Sequence, residues 1–376
     1  MSQLDDAFTS LFTTNMGVRK GERIVVFGDT IRSDETPLPA DADRRRRLLD
    51  VARKAGEFAQ DTYGNAAFVS FPATAASGAE PPEILWRAVL GENIVSQLIA
   101  SGIFSRLLAK TADKDDIRKA TGIVTAAREE VADVVIALSN NSTSHTRFRT
   151  LVNAAEGRFA SLPAFDPDMF FTSMKVDWQA LAERTARLAA AVNLAAEIVV
   201  ETPNGTRMRF GKRGRTAKGD DGMLTSPGSF GNLPAGEVYL APLEGTSSGV
   251  MVLEYGPTRK LASPLALTVA DGRVVEIQGD EPHRRKLEQK FAENADNRNI
   301  AELGIGTNDK ASRPDNILEA EKILGTIHIA LGDNSGFGGT VQTPFHEDYV
   351  FYRPTLTAIM DDGNQQVLLK DGKLEI

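Results

Sequence analysis

The pattern of the chain changes near Ala195, and that change limits its fold more than any other feature. Before it, short apolar runs alternate with amphipathic stretches. Ile24-Val25-Val26-Phe27-Gly28-Asp29 reads as a strand ending in a turn, Asp41 to Thr62 as a helix, and Ala66 to Phe71 as the next strand. Helical stretches over Pro82 to Lys110 and Lys114 to Glu130 lead to the strand Ala132 to Leu138. A helix through Ala155 and a strand Arg158 to Pro163 follow. Strands separated by helices call for a mostly parallel sheet covered on both faces. A helix from Trp178 to Ala196, with Leu181, Leu188 and Val192 near one stripe, ends this half.

After it, Glu197 to Thr202, the turn Asn204-Gly205 and Thr206 to Phe210 form the strongest hairpin signal in the chain. Short strands and Gly turns then dominate, at 238–243, 249–254, 265–269, 273–278 and 367–374, with helices over Glu281 to Ala295 and around Ile317 to Leu324. The chain has 376 residues, more than one core usually serves. The expectation is an α/β N-terminal domain over 1–195, with a mostly parallel sheet, and a β-rich C-terminal domain over 196–376 that carries a metal site.

Composition excludes several chemistries. With no cysteine there is no disulfide, no thiol nucleophile and no thiolate ligand, so any metal site uses nitrogen and oxygen. Net charge is -8, and the one dense basic run, Arg44 to Arg47, reads as a solvated helix face, so no nucleic-acid partner is expected. No apolar run approaches the ~18 residues of a membrane span, and the N-terminus lacks a signal-peptide pattern. The expectation is a cytoplasmic protein with no membrane partner.

Two of the four histidines and two carboxylates fall in short extended runs: Glu302 within Ala301 to Gly306, His328 within Ile327 to Gly332, and His346 and Asp348 within Pro344 to Val350. Alternation puts His346 and Asp348 on one side of their strand and Glu347 on the other. Imidazole with carboxylate suits zinc, iron, manganese or cobalt. His283, at a helix start among charged residues, reads as solvated, and His145 as a helix-start residue. Asp29 sits at a strand's C-terminal end, where doubly wound sheets bind ligands.

Asn232 to Tyr239, Ala301 to Gly304, His328 to Gly332 and His346-Glu347-Asp348 together resemble the metal-binding motifs of the thermophilic aminopeptidases (aminopeptidase T and S type). The resemblance covers most of 130–376. It implies a homodimeric metallopeptidase acting on a small-molecule or short peptide substrate. It also implies two divalent metals, zinc, cobalt or manganese, held by Glu237, Glu302, His328, His346 and Asp348. A charge count agrees with this set: two such ions bring about +4, three carboxylates with neutral imidazoles bring about -3, and one hydroxide meets the rest, which suits hydrolysis of an amide bond at neutral pH.

The sequence departs from that family at Ser335, where its members carry a tyrosine seven residues beyond the first histidine. Tyr352, which shares a face with His346 and Asp348 by alternation, is a candidate substitute, with Tyr239 and Tyr349 as alternates. Glu319 or Glu321, just before the His328 strand, are the candidate proton acceptors. The Gly-rich run 332–339 reads as a flexible, substrate-contacting loop.

The layout equally resembles the mononuclear iron dioxygenases that open dihydroxypyridine rings. These carry a histidine in place of Glu302, and here His328, His346 and Asp348 would form the Fe(II) triad. A third reading is an inactive binding protein whose metal holds the β-rich domain together.

Overall fold

The computed structural model describes residues 3–257 and 259–376. Its strands in chain order are β1 (Ile24–Thr30), β2 (Ala66–Pro72), β3 (Val134–Ala137), β4 (Arg158–Ser161), β5 (Glu197–Glu201), β6 (Arg207–Gly211), β7 (Lys218–Asp220), β8 (Phe230–Asn232) and β9 (Glu237–Leu240). The series continues with β10 (Ser248–Gly256), β11 (Arg259–Ala270), β12 (Arg273–Gln278), β13 (Ile300–Gly306) and β14 (Ile327–Gly332). It ends with β15 (His346–Phe351), β16 (Thr355–Ile359), β17 (Gln365–Lys370) and β18 (Lys373–Leu374).

The chain forms two compact units, Met1–Lys175 with Gly222–Pro234, and Val176–Asp221 with Ala235–Ile376. The division expected at residue 195 thus falls inside the second unit. The helix Trp178–Asn193 buries Leu188 and Val192 in the second unit's core, so it opens that unit. The short β8 instead returns to pair with β4 in the first unit, where the Phe230 ring packs edge-on against Phe159.

The first unit is an α/β domain with a parallel sheet in the order β2-β1-β3-β4-β8. Nearly every residue of β1, β3 and β4 is buried, as strands covered on both faces require. On one face, Phe27, Trp86, Phe148 and Phe159 form an aromatic cluster. The helix Pro39–Tyr63 comes close to the sheet at Gly56, where a Cβ would lie 2.8 Å from that of Phe68. The helical stretch expected over 82–110 consists of three short helices, separated at Gly91 and Gly102, both at positive φ. At the switch point between β1 and β3, the Asp29 carboxylate accepts the backbone N–H groups of Asn140 (2.8 Å) and Asn141 (3.2 Å), so it anchors the loop after β3.

The second unit is β-rich: an eight-stranded sheet, β12-β11-β10-β6-β5-β16-β17-β18, and a five-stranded sheet, β15-β14-β13-β9-β7. Their strand pairings are antiparallel. Tight turns at Asp271-Gly272 and Asp371-Gly372 have both residues at positive φ, as two-residue hairpins demand. The expected strand over 367–374 is therefore the hairpin of β17 and β18. One face of the five-stranded sheet, with Val238, Leu240, Leu303, Ile305, Ile329 and Leu331, joins the eight-stranded sheet's Met208, Phe210, Met251 and Leu267 in a single core. Each such large side chain contributes roughly 1.5–3 kcal/mol by burial. The opposite face of the five-stranded sheet is free to carry polar chemistry.

Candidate metal centre

Directly paired residues of antiparallel strands share a face, so the register places the site row by row. His346 pairs with Gly332; Asp348 with Ala330, which also pairs with Glu302. The next row runs Val350, His328, Gly304, Tyr239 and Lys218, and the last Gly306, Glu237 and Asp220. All five candidate ligands therefore lie on the face away from the core. Glu302 reaches it through a bulge between Ile300 and Glu302; without that extra residue it would oppose Ile329 and point into the core.

Glycines make room for the ligands. A Cβ on Gly304 would lie 2.0 Å from both Cε1 and Nε2 of His328, so the imidazole rests directly over the β13 backbone. One on Gly306 would lie 2.1 Å from the Ile323 carbonyl oxygen.

The polar atoms converge. His328 Nε2 lies 3.3 Å from Glu237 Oε2 and 3.4 Å from Glu302 Oε1. His346 Nε2 lies 3.5 Å from Glu302 Oε2 and 3.6 Å from Asp348 Oδ2. These separations are long for hydrogen bonds. They match the roughly 3.4 Å between neighbouring tetrahedral ligands held ~2.1 Å from one ion. Among the described residues, three groups of side chains converge closely enough to hold an ion: Glu237, Glu302 and His328; Glu302, His346 and Asp348; and Glu321, His328 and Asp348. The ligand chemistry fits a divalent ion on a second count. Glu237 Oε2 and His328 Nδ1 are buried and have no hydrogen-bond partner among the described residues, a cost of about 1–3 kcal/mol each if left so.

The surroundings tune these groups. His346 Nδ1 is 2.8 Å from the Asp333 carbonyl oxygen; donating to it, the ring leaves Nε2 as the free ligand atom. Burial alone would lower the pKa of both histidines, but the facing carboxylates outweigh it. The close approach of Glu302 and the charges of Glu237, Glu321 and Glu302 raise His328 to about 9. Asp348, Glu302 and the Asp333 carbonyl raise His346 to about 10. Burial would likewise raise Asp348, yet His346, His328 and Lys322 bring it down to about 2. Without an ion the centre thus holds protons on its imidazoles, and binding an ion releases them.

Of the two residues beneath the centre, Glu321 is among the proton-acceptor candidates, whereas Lys322 carries no clear sequence signal. Lys322 is fully buried, with its ammonium 2.7 Å from Glu237 Oε1 and 2.9 Å from Glu321 Oε1. Both lie in the irregular segment before β14, where no periodicity fixes which way a side chain points. A buried lysine is rare unless paired, and only the fold reveals its partners.

Of the catalytic candidates, Glu319 and Tyr352 lie elsewhere in the second unit. Glu319 is buried, but its Oε1 accepts the backbone N–H groups of Ser312 (2.7 Å) and Arg313 (3.3 Å), bracing a loop, and it joins none of the three groups. β15 ends at Phe351, so alternation no longer governs Tyr352; its ring packs on Tyr255, with centroids 5.2 Å apart. Tyr349 faces the core side, where its hydroxyl donates to Glu347 at 2.5 Å. His283 is buried rather than solvated, with Nε2 3.0 Å from the Tyr349 hydroxyl and 3.2 Å from Glu347 Oε1. Burial would raise Glu347, but bonds from His283, Lys286 and Tyr349 hold it at about 2. This network pins β15 from behind.

Tyr239 is the tyrosine on the ligand face. Burial first, then the charges of Asp220, Glu237 and Glu302, keep its phenol protonated. The 332–339 run is braced rather than loose: Asp333 accepts from Ser335 and Thr343, and Asn334 bonds Val341 and Glu244. Its Phe337 ring meets Tyr239 (5.9 Å) and His346 (6.0 Å) edge-on, forming an aromatic wall.

The fold and this centre define an enzyme of a metal-dependent class. Residues 95–375 match the family described as NicX, 2,5-dihydroxypyridine 5,6-dioxygenase, and the chain belongs to that family. Among solved structures it is similar to the 2,5-dihydroxypyridine dioxygenase from Pseudomonas putida KT2440, at 17% identity and a TM-score of 0.69, covering 100% of this chain and 98% of that one. It is also similar to wild-type AmpT from Thermus thermophilus, at 16% identity and a TM-score of 0.60, covering 100% and 99%. No curated protein matches the chain by sequence. No helix among the described residues is long and apolar enough to cross a membrane.

Proposed function

We propose that the protein is a metal-dependent hydrolase of aminopeptidase type, cleaving an amide or peptide bond in a small substrate. The observation that carries this reading is Glu302: its Oε1 faces His328 at 3.4 Å while its Oε2 faces His346 at 3.5 Å. A carboxylate offering one oxygen to each of two ligand groups suits a pair of ions, one with Glu237 and His328, the other with His346 and Asp348. Bound zinc, cobalt or manganese would polarise a carbonyl and lower the pKa of water to about 7.

The protein's own side chains have distinct parts. Tyr239, held as a phenol beside Glu237 and Glu302, donates a hydrogen bond to an oxyanion, the role Ser335 cannot fill because its hydroxyl is bonded to Asp333. Glu321, oriented by Lys322, is the carboxylate placed to accept a proton. Phe337 shields one side of the centre from water.

The second reading, a mononuclear Fe(II) ring-cleaving dioxygenase, is favoured by the family match. The geometry supports it less, since none of the three ion-capable groups contains both histidines. Metal analysis with paired assays separates the two. Two ions per chain with peptide cleavage support the hydrolase; one iron per chain with oxygen uptake on 2,5-dihydroxypyridine overturns it. A homodimer is the proposed assembly, checked by light scattering.

A further inference from the structure

The row of paired residues that carries His328, Gly304 and Tyr239 ends at Lys218 on the edge strand β7. Lys218 is exposed, and its side chain makes no ion pair or hydrogen bond among the described residues. It lines a cavity of about 210 Å³ together with Arg215, Thr216, Ala241, Phe337 and Gly338. The Arg215 guanidinium is already paired with Glu244, so its charge is spoken for, whereas that of Lys218 is available. Phe337 is shared: one ring borders this cavity and also touches His346 and Tyr239. The cavity therefore borders the aromatic wall of the metal centre at Phe337. Lys218 stands two strands from Glu302, roughly 10 Å along the sheet.

We propose that Lys218 and the Phe337 cavity form a specificity subsite for the carboxylate of the substrate, at the end remote from the bond that reacts. The substrate class is then a short peptide or acylated amino acid with a free carboxylate about two residues beyond the scissile bond, a span of at most ~7 Å. The apolar part of the substrate lies on Phe337, and the carboxylate meets the Lys218 ammonium. This assignment rests on the hydrolase reading for its substrate, but the binding of a carboxylate to the cavity does not require turnover.

The test has two arms, both on the metal-loaded protein. In the first, calorimetry compares 3-phenylpropionate with its uncharged amide on the parent, Lys218→Met and Lys218→Arg, with metal content measured for each. The expected result is a preference for the carboxylate of about tenfold in the parent, the effect of one charge-assisted hydrogen bond. Lys218→Met loses the preference, Lys218→Arg keeps it, and metal content is unchanged. In the second arm, kcat/KM for Leu-Gly-Gly is compared with that for its C-terminal amide, and the same pattern is expected. A parent without preference, or a preference equal in Lys218→Met, overturns the subsite. If the parent cleaves neither peptide, the hydrolase reading falls and calorimetry alone decides on the subsite.

Discussion

The parallel sheet of the first unit and the five-stranded sheet of the second use the same small residues for opposite ends. In the first, Gly56 lets the helix Pro39–Tyr63 settle on Phe68, and the gain is close apolar packing on both faces of the sheet. In the second, Gly304 lets the His328 ring lie on β13, and one face is given over to three carboxylates and two imidazoles. A sheet buried on both sides has no room for such a cluster. A sheet with one face on a core and the other open carries it at fixed strand spacings, while the core behind holds the strands in register.

Substitutions should separate the two designs, beginning with the largest effect. Gly304→Ala drives a methyl group into the His328 ring, and metal affinity should fall by more than about 100-fold, as loss of a ligand's orientation does, while circular dichroism stays that of the parent. Full metal content in this variant would break the comparison. Lys322→Met removes the buried cation between Glu237 and Glu321 and should cost the metal-free protein about 3–5 kcal/mol in denaturant unfolding, much of it recovered on adding metal. Gly56→Ala should cost about 1–3 kcal/mol through overpacking against Phe68 and leave metal stoichiometry unchanged. Tyr352→Phe, which leaves the ring on Tyr255, should change kcat by less than about twofold, because Tyr352 belongs to none of the three ligand groups. A large fall in kcat would return Tyr352 to the catalytic machinery.

Much of this was legible in the sequence because strands have a strict period of two. His346 and Asp348 share a face for that reason, and the Asn204-Gly205 and Asp371-Gly372 turns announce their hairpins through backbone chemistry. Other features follow from no local pattern. The bulge that turns Glu302 toward His328 is one extra residue in an apolar run, invisible without the partner strand. Alternation promised Tyr352, yet β15 ends one residue earlier, with Arg353 at positive φ. The helix expected around Ile317 to Leu324 is the single turn Ile317–Ala320, and only tertiary contacts send Glu319 within it to a loop backbone and Glu321 and Lys322 just after it toward the ligands. β8 is three residues long and joins a sheet begun two hundred residues earlier, so its identity lies in its pairing with β4.

The hydrolase reading stands on Glu302 being shared between two ions. Calorimetric titration of metal-stripped protein with Zn²⁺ or Co²⁺, for the parent and for Glu302→Ala, tests it most directly. Two sites per chain are expected in the parent, with a loss of affinity at both in the variant. A single site in the parent, or a variant that loses one site and keeps the other intact, would contradict it.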